Sequence, residues 1–155
     1  MTGESDDGRP VDLDEVDLVG GEYLEHHGFL SWLGLEVEAV EEGWLRMSVP
    51  YDEKLANLDA AGTVHGGVVA TLVDTASGHA IRTTFDDPAS VGVSTVEVNT
   101  RYLPPARDDP IATAEVVRAG GSLGVTDLVV ESTGPDGEDT VVAVGGTTYR
   151  LFRDG

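Results

Sequence analysis

A chain of 155 residues with 40% hydrophobic content is long enough for one compact domain with its own core. The absence of cysteine excludes disulfides, a thiol nucleophile and thiolate metal sites, and 29 acidic against 9 basic residues argue against nucleic acid, whose binding needs clustered Lys and Arg. No apolar run approaches the roughly 18 residues that span a membrane and no basic, apolar leader opens the chain, so a soluble cytoplasmic protein is expected.

In chain order, residues 1–19 are charged and poor in large apolar groups. They predict an acidic N-terminal tail, frayed or loosely docked as a short helix, ahead of a single domain over residues 20–155. Residues 22–31, with Tyr23, Leu24, His27, Phe29 and Leu30, read as one short helix. Residues 35–40 and 44–49 alternate around Glu41-Glu42-Gly43, the pattern of a hairpin. A loop from Pro50 to Ala61 leads into a helix opening at Gly66, where Val68, Val69, Leu72, Val73, Ala76 and Ala80 fall on one arc at about 100° per residue. No proline interrupts residues 66–85, so one face of this helix should be buried. His79 falls on the apolar arc and reads as a core or interface histidine. Strands follow at 91–103, 111–119, 122–133 and 140–152, separated by Pro, Gly and Asp turn chemistry. The order is α+β, with a meander of late strands and a long helix in the concave face of a curved antiparallel sheet.

Two features of the long helix carry chemistry. It opens on His65-Gly66-Gly67, and glycines there leave the first unpaired N–H groups open to a ligand. Such amides suit an oxyanion or a polarised carbonyl. Asp74 lies opposite the apolar arc, with Ala70, Thr71, Ser77 and Gly78 at helical spacing and no basic partner. A merely solvated carboxylate usually has charged neighbours at those positions. Small neighbours allow another backbone or a ligand to come close.

The segment Gly62, Thr63, His65, Gly66, Gly67 and Asp74, with nine residues from His to Asp, resembles the hotdog-fold acyl-CoA thioesterases of the phenylacetic-acid-degradation (PaaI-like) type. Residues 96–106, closing in Tyr102-Leu103-Pro104-Pro105-Ala106, look like that family's strand after the central helix. The resemblance covers roughly residues 20–152 and implies a hotdog fold and hydrolysis of acyl-CoA, with no cofactor beyond the coenzyme A of the substrate. It implies that the Gly66 amide polarises the thioester carbonyl and that Asp74 acts as general base or as nucleophile. It also implies that His65 orients the loop or contacts the carbonyl region, and that a hydroxyl, Thr95 or Ser94, orients the water. Gly67 and Asn57 join the substrate-binding group. Relatives often carry Asn six residues before the His, where this chain has Asp59, and Asn57 is expected to swing in instead.

The helix also bears on assembly. Gly66 and Asp74 are separated by roughly 12 Å along one helix axis, whereas an attacking water and an oxyanion donor must both sit about 3 Å from one carbonyl. Two antiparallel copies of the helix would solve this, and the resemblance implies the same shared sites, in a homodimer or homotetramer. A charge of -20 with Lys54 as the one lysine looks like the cytosolic proteins of extreme halophiles, in which molar salt screens self-repulsion. No metal site is expected, since no His-x-x-x-His or equivalent pairing occurs. Trp32 and Trp44 read as packing residues, with Trp32 a candidate for an acyl pocket, and Arg101, Arg107 and Arg150 as structural or as contacts for coenzyme A phosphates. The competing functions are a non-catalytic acyl-CoA-binding or regulatory module, in which Asp74 would be dispensable, and a hotdog hydratase or dehydratase, which would need a His base paired with an acid.

Overall fold

The apolar arc read from the sequence builds helix α3, Gly66–Arg82, in which Leu72, Val73, Ala76 and Ala80 are fully buried. The structure is a computed structural model that describes residues 12–13, 15–133 and 136–153. Most of the expected acidic tail, residues 1–11 and Asp14, lies outside the described residues, while Leu18 in its last part is buried. The first turns of α3 bury one face as expected. From Ala76 to Ile81 every residue is buried, because the N-terminal segment covers the side away from the sheet and sets the Tyr23 ring edge-on to His79, centroids 5.4 Å apart.

That N-terminal segment forms two helices where one was expected: α1, Gly21–His26, and α2, Gly28–Leu33. The break falls at His27, which leaves helical geometry at φ -97° and ψ 116° and accepts the Leu30 N–H on its own Nδ1. A side chain that caps a new helix ends the old one.

Six strands follow the predicted pattern: β1, Glu36–Glu41; β2, Trp44–Ser48; β3, Val91–Tyr102; β4, Ile111–Ala119; β5, Leu123–Thr133; and β6, Asp139–Arg153. The turn between β1 and β2 needs Gly43, whose φ is 75°, and the Thr83 hydroxyl at the end of α3 accepts its N–H at 2.7 Å. All pairings are antiparallel in the order β1-β2-β4-β5-β6-β3. The expected meander therefore holds for β4, β5 and β6 only. β3 crosses to the far edge and pairs with β6, because α3 sits between β2 and β3 in the chain and carries it across the sheet.

The sheet wraps α3, and Leu45, Met47, Ala112, Ala114, Leu128, Val130 and Ala143 meet the helix in one core. Alternation is clean along β5, where every second residue from Gly124 to Ser132 turns inward or partly so. A smaller cluster of Ile81, Phe85, Tyr149 and Leu151 closes the C-terminal end of α3. Buried hydroxyls are paired in a chain: Thr126 donates to Ser77 at 2.9 Å and lies 2.7 Å from Thr147, and Ser77 donates to Val73 O at 2.7 Å. The α+β layout with a long helix inside a curved antiparallel sheet is the hotdog fold.

Candidate functional site

The loop before α3 is held from three sides. Val64 N–H donates to Ala106 O at 2.9 Å, His65 N–H to Leu55 O at 2.8 Å, and Asn57 N–H to Thr63 O at 2.7 Å. The sequence ending in Pro105-Ala106 thus braces the entry to the helix. His65 is the N-cap, and its Nδ1 accepts the Gly67 N–H at 2.9 Å. The ring proton therefore sits on Nε2, facing outward from an exposed side chain. The Gly67 amide is engaged by this cap. The Gly66 N–H has no acceptor among the described residues, and it stands at the positive end of the helix dipole. Tyr102 lies across it, its hydroxyl donating to Gly66 O at 2.5 Å.

Asn57 does not swing in to this helix start. Its amide Nδ2 donates to Thr63 Oγ1 at 3.2 Å. Asp59 stays in the turn, accepting the Thr63 hydroxyl at 2.5 Å and the Thr63 and Ala61 N–H groups at 3.1 Å. The Thr63 hydroxyl and amide, then the Gly62 and Ala61 amides, hold Asp59 below the ordinary carboxylate range against a small opposing effect of burial. The Asp59 carboxylate therefore organises the loop.

Asp74 projects from the middle of α3, about two turns beyond the helix start. Thr95 Oγ1 donates to Asp74 Oδ1 at 2.8 Å. Ser94, one residue earlier in the pleat, points to the opposite face, so of the two hydroxyls Thr95 is the one at the carboxylate. Thr95 was expected to orient water; it binds the carboxylate directly. Tyr149, 75 residues from Asp74 in sequence, holds its hydroxyl 2.5 Å from the same Oδ1 and from the Asp74 carbonyl oxygen, which share its one proton. Burial raises the Tyr149 phenol far above its ordinary range, with the Asp74 charge adding to the effect. Asp74 Oδ2 has no donor among the described residues. Sequence reasoning missed Tyr149, although a glycine at Gly78, one helical turn beyond Asp74, was a trace of it.

A cleft of about 230 Å³ opens beside Asp74, lined by Tyr23, His27, Thr71, His79, Arg82 and Thr95 among others. His79 is the core histidine expected, 1% exposed and held by burial, then by the Arg82 cation, at about 3. Trp32 does not line this cleft; it lies 57% exposed beneath the Lys54 ammonium, 4.5 Å from its ring centroid. Arg150 lies over the Phe152 ring. None of residues 57–67 lines the cleft, so one chain keeps the helix start and Asp74 apart.

Residues 61–138 match the model of the thioesterase superfamily. A protein of Halobacterium salinarum, provisionally named an esterase, is 44% identical over 92% of this chain and 97% of its own length. Acyl-coenzyme A thioesterase 13 of Homo sapiens is 41% identical over 49% of this chain and 55% of its own length. Among solved structures, a thioesterase family protein from Silicibacter pomeroyi is similar at TM-score 0.75 with 26% identity, over 85% of this chain and 94% of that one. The PaaI protein of the E. coli phenylacetic acid degradation operon shares the fold at TM-score 0.66 and 22% identity, over 84% of this chain and 87% of its own.

Proposed function

The chain belongs to the thioesterase superfamily, and from that premise we propose that it hydrolyses acyl-CoA thioesters to free acid and coenzyme A. The observation that carries the reading is the Asp74 carboxylate, anchored through Oδ1 at a cleft, with Oδ2 and the first N–H of the same helix both without a partner among the described residues. Gly66 N–H would hold the developing oxyanion. Asp74 would take a proton from the attacking water, whose tetrahedral adduct then breaks its C–S bond and releases coenzyme A, or attack the carbonyl itself, expelling coenzyme A thiolate and giving a mixed anhydride that water then opens.

Both halves serve one thioester only if two copies of the chain share the site, so the working unit is a homodimer or a pair of them. The separation of the helix start from the Asp74 cleft supports this. So does β3, an edge strand that exposes Val96 and Val98 beside Thr95, because an open apolar edge invites pairing with a second chain. Coenzyme A enters as part of the substrate. Its acidic composition and the likeness to a Halobacterium salinarum protein support a salt-rich cytosol as the setting.

The chain has no cysteine, so a thiol reagent in high salt reads released coenzyme A without background. A panel of aromatic, short-chain and long-chain acyl-CoAs is expected to contain a substrate. Asp74→Asn, which keeps the shape and both hydroxyl contacts, should lower kcat by about a hundredfold or more, with folding and binding of the acyl-CoA preserved. Turnover equal to the parent enzyme would remove Asp74 from the reaction.

A further inference from the structure

The Asp74 carboxylate receives two hydroxyls on one oxygen, from Thr95 at 2.8 Å and from Tyr149 at 2.5 Å, and none on the other from the described residues. Tyr149 is 5% exposed and packed with Ile81, Phe85 and Leu151, so its ring has one place to be. α3 is cut to admit it: a Cβ on Gly78 would lie 3.1 Å from the Tyr149 hydroxyl. A glycine inside a helix costs about 1 kcal/mol relative to alanine, and here it allows the phenol to reach both the Asp74 carbonyl and its carboxylate.

Building on the thioesterase reading, we infer that Tyr149 is a positioning residue: it pins Asp74 Oδ1 against the helix, so that Oδ2 is the oxygen presented to the water or the thioester carbonyl. Thr95 alone would leave the carboxylate free to rotate about its last bond, exchanging the two oxygens. A second donor anchored in the core stops that rotation. The raised phenol keeps its proton throughout the working pH range, so the contact persists wherever Asp74 is charged.

The test measures kcat and KM separately for Tyr149→Phe, alongside its thermal unfolding and the downfield NMR signal of the phenolic proton. A misoriented catalytic group loses rate without losing affinity, so kcat should fall about ten- to a hundredfold while KM and the unfolding temperature change little. The downfield resonance should be present in the parent protein, absent in Tyr149→Phe and shifted upfield in Asp74→Asn. Gly78→Ala provides a second route, because its methyl would lie 3.1 Å from the hydroxyl and press it a few tenths of an ångström off the carboxylate while alanine favours the helix; kcat should again fall in a folded protein. Unchanged kcat in Tyr149→Phe overturns the inference. So does a loss of kcat matched by a rise in KM and a collapse in thermal stability, or a phenolic resonance indifferent to Asp74→Asn. A parent protein inactive toward every acyl-CoA in the panel defeats the thioesterase reading and the positioning role together, whereas an active parent with an indifferent Tyr149→Phe defeats the positioning role alone.

Discussion

Acidifying the folded protein from pH 7.5 to pH 5 should cost it about 2 kcal/mol through His79 alone. The side chain is 1% exposed, and its Nδ1–H donates to Thr75 O at 3.0 Å. Nε2 is buried without a partner among the described residues. Burial, followed by the Arg82 cation, holds the imidazole at about 3 instead of 6.5, while the Thr75 carbonyl and Asp17 pull weakly the other way. The unfolded chain therefore binds a proton on this residue near pH 6.5 and the folded chain only near pH 3. Between those values the unfolded state holds more protons, so stability falls by up to about 1.4 kcal/mol for each pH unit lost, and the slope fades away within about one unit above pH 6.5. Urea unfolding of the parent and of His79→Leu, at three pH values from about 7.5 to 5 in constant high salt, isolates this contribution from that of the 29 acidic residues. Near pH 7.5 the variant should be as stable as the parent or more so, since it removes an unpaired buried acceptor that costs about 1–3 kcal/mol. By pH 5 the gap should have widened in the variant's favour by about 2 kcal/mol. Parallel stability curves for the two proteins would refute the reasoning.

Two further outcomes follow from the same physics. A Cβ on Gly145 would lie 2.0 Å from Asn99 O across the β3–β6 pair, so Gly145→Ala should cost about 3 kcal/mol or more by forcing the strands apart; an unfolding temperature equal to the parent's would contradict the close approach. Transfer from molar to about 0.1 M salt lengthens the screening distance from about 3 Å to about 10 Å, so a chain of charge -20 should lose thermal stability steeply by circular dichroism; a salt-independent melting temperature would sink the halophilic reading.

Much of this protein was legible in its sequence because much of it is local. Helical and strand periods are set by which side chains one face must bury, and they foretold α3, the β1–β2 hairpin and the later strands within a residue or two. The open amide at Gly66 and the small, uncharged neighbours of Asp74 on its own helix were visible for the same reason, since both depend on residues a turn away. The split between α1 and α2 escaped because a single histidine cap, made by His27 toward Leu30, outweighed a continuous apolar pattern. The position of β3 beside β6 depended on how α3 lies across the sheet, which no local period encodes. That crossing decides the site. It sets Thr95 rather than Ser94 on the carboxylate, and the long β6 strand delivers Tyr149 to Asp74 from 75 residues away. The sequence did not show that a turn competes for Asn57 and Asp59, whose side chains bond to Thr63 in this chain. Sequence alone determined which groups could do chemistry, through their own donors, acceptors and charges. Only the tertiary structure decided which of them meet, because partners distant in the chain are brought together by burying the core, and hydrogen bonds form between whatever that packing places within reach.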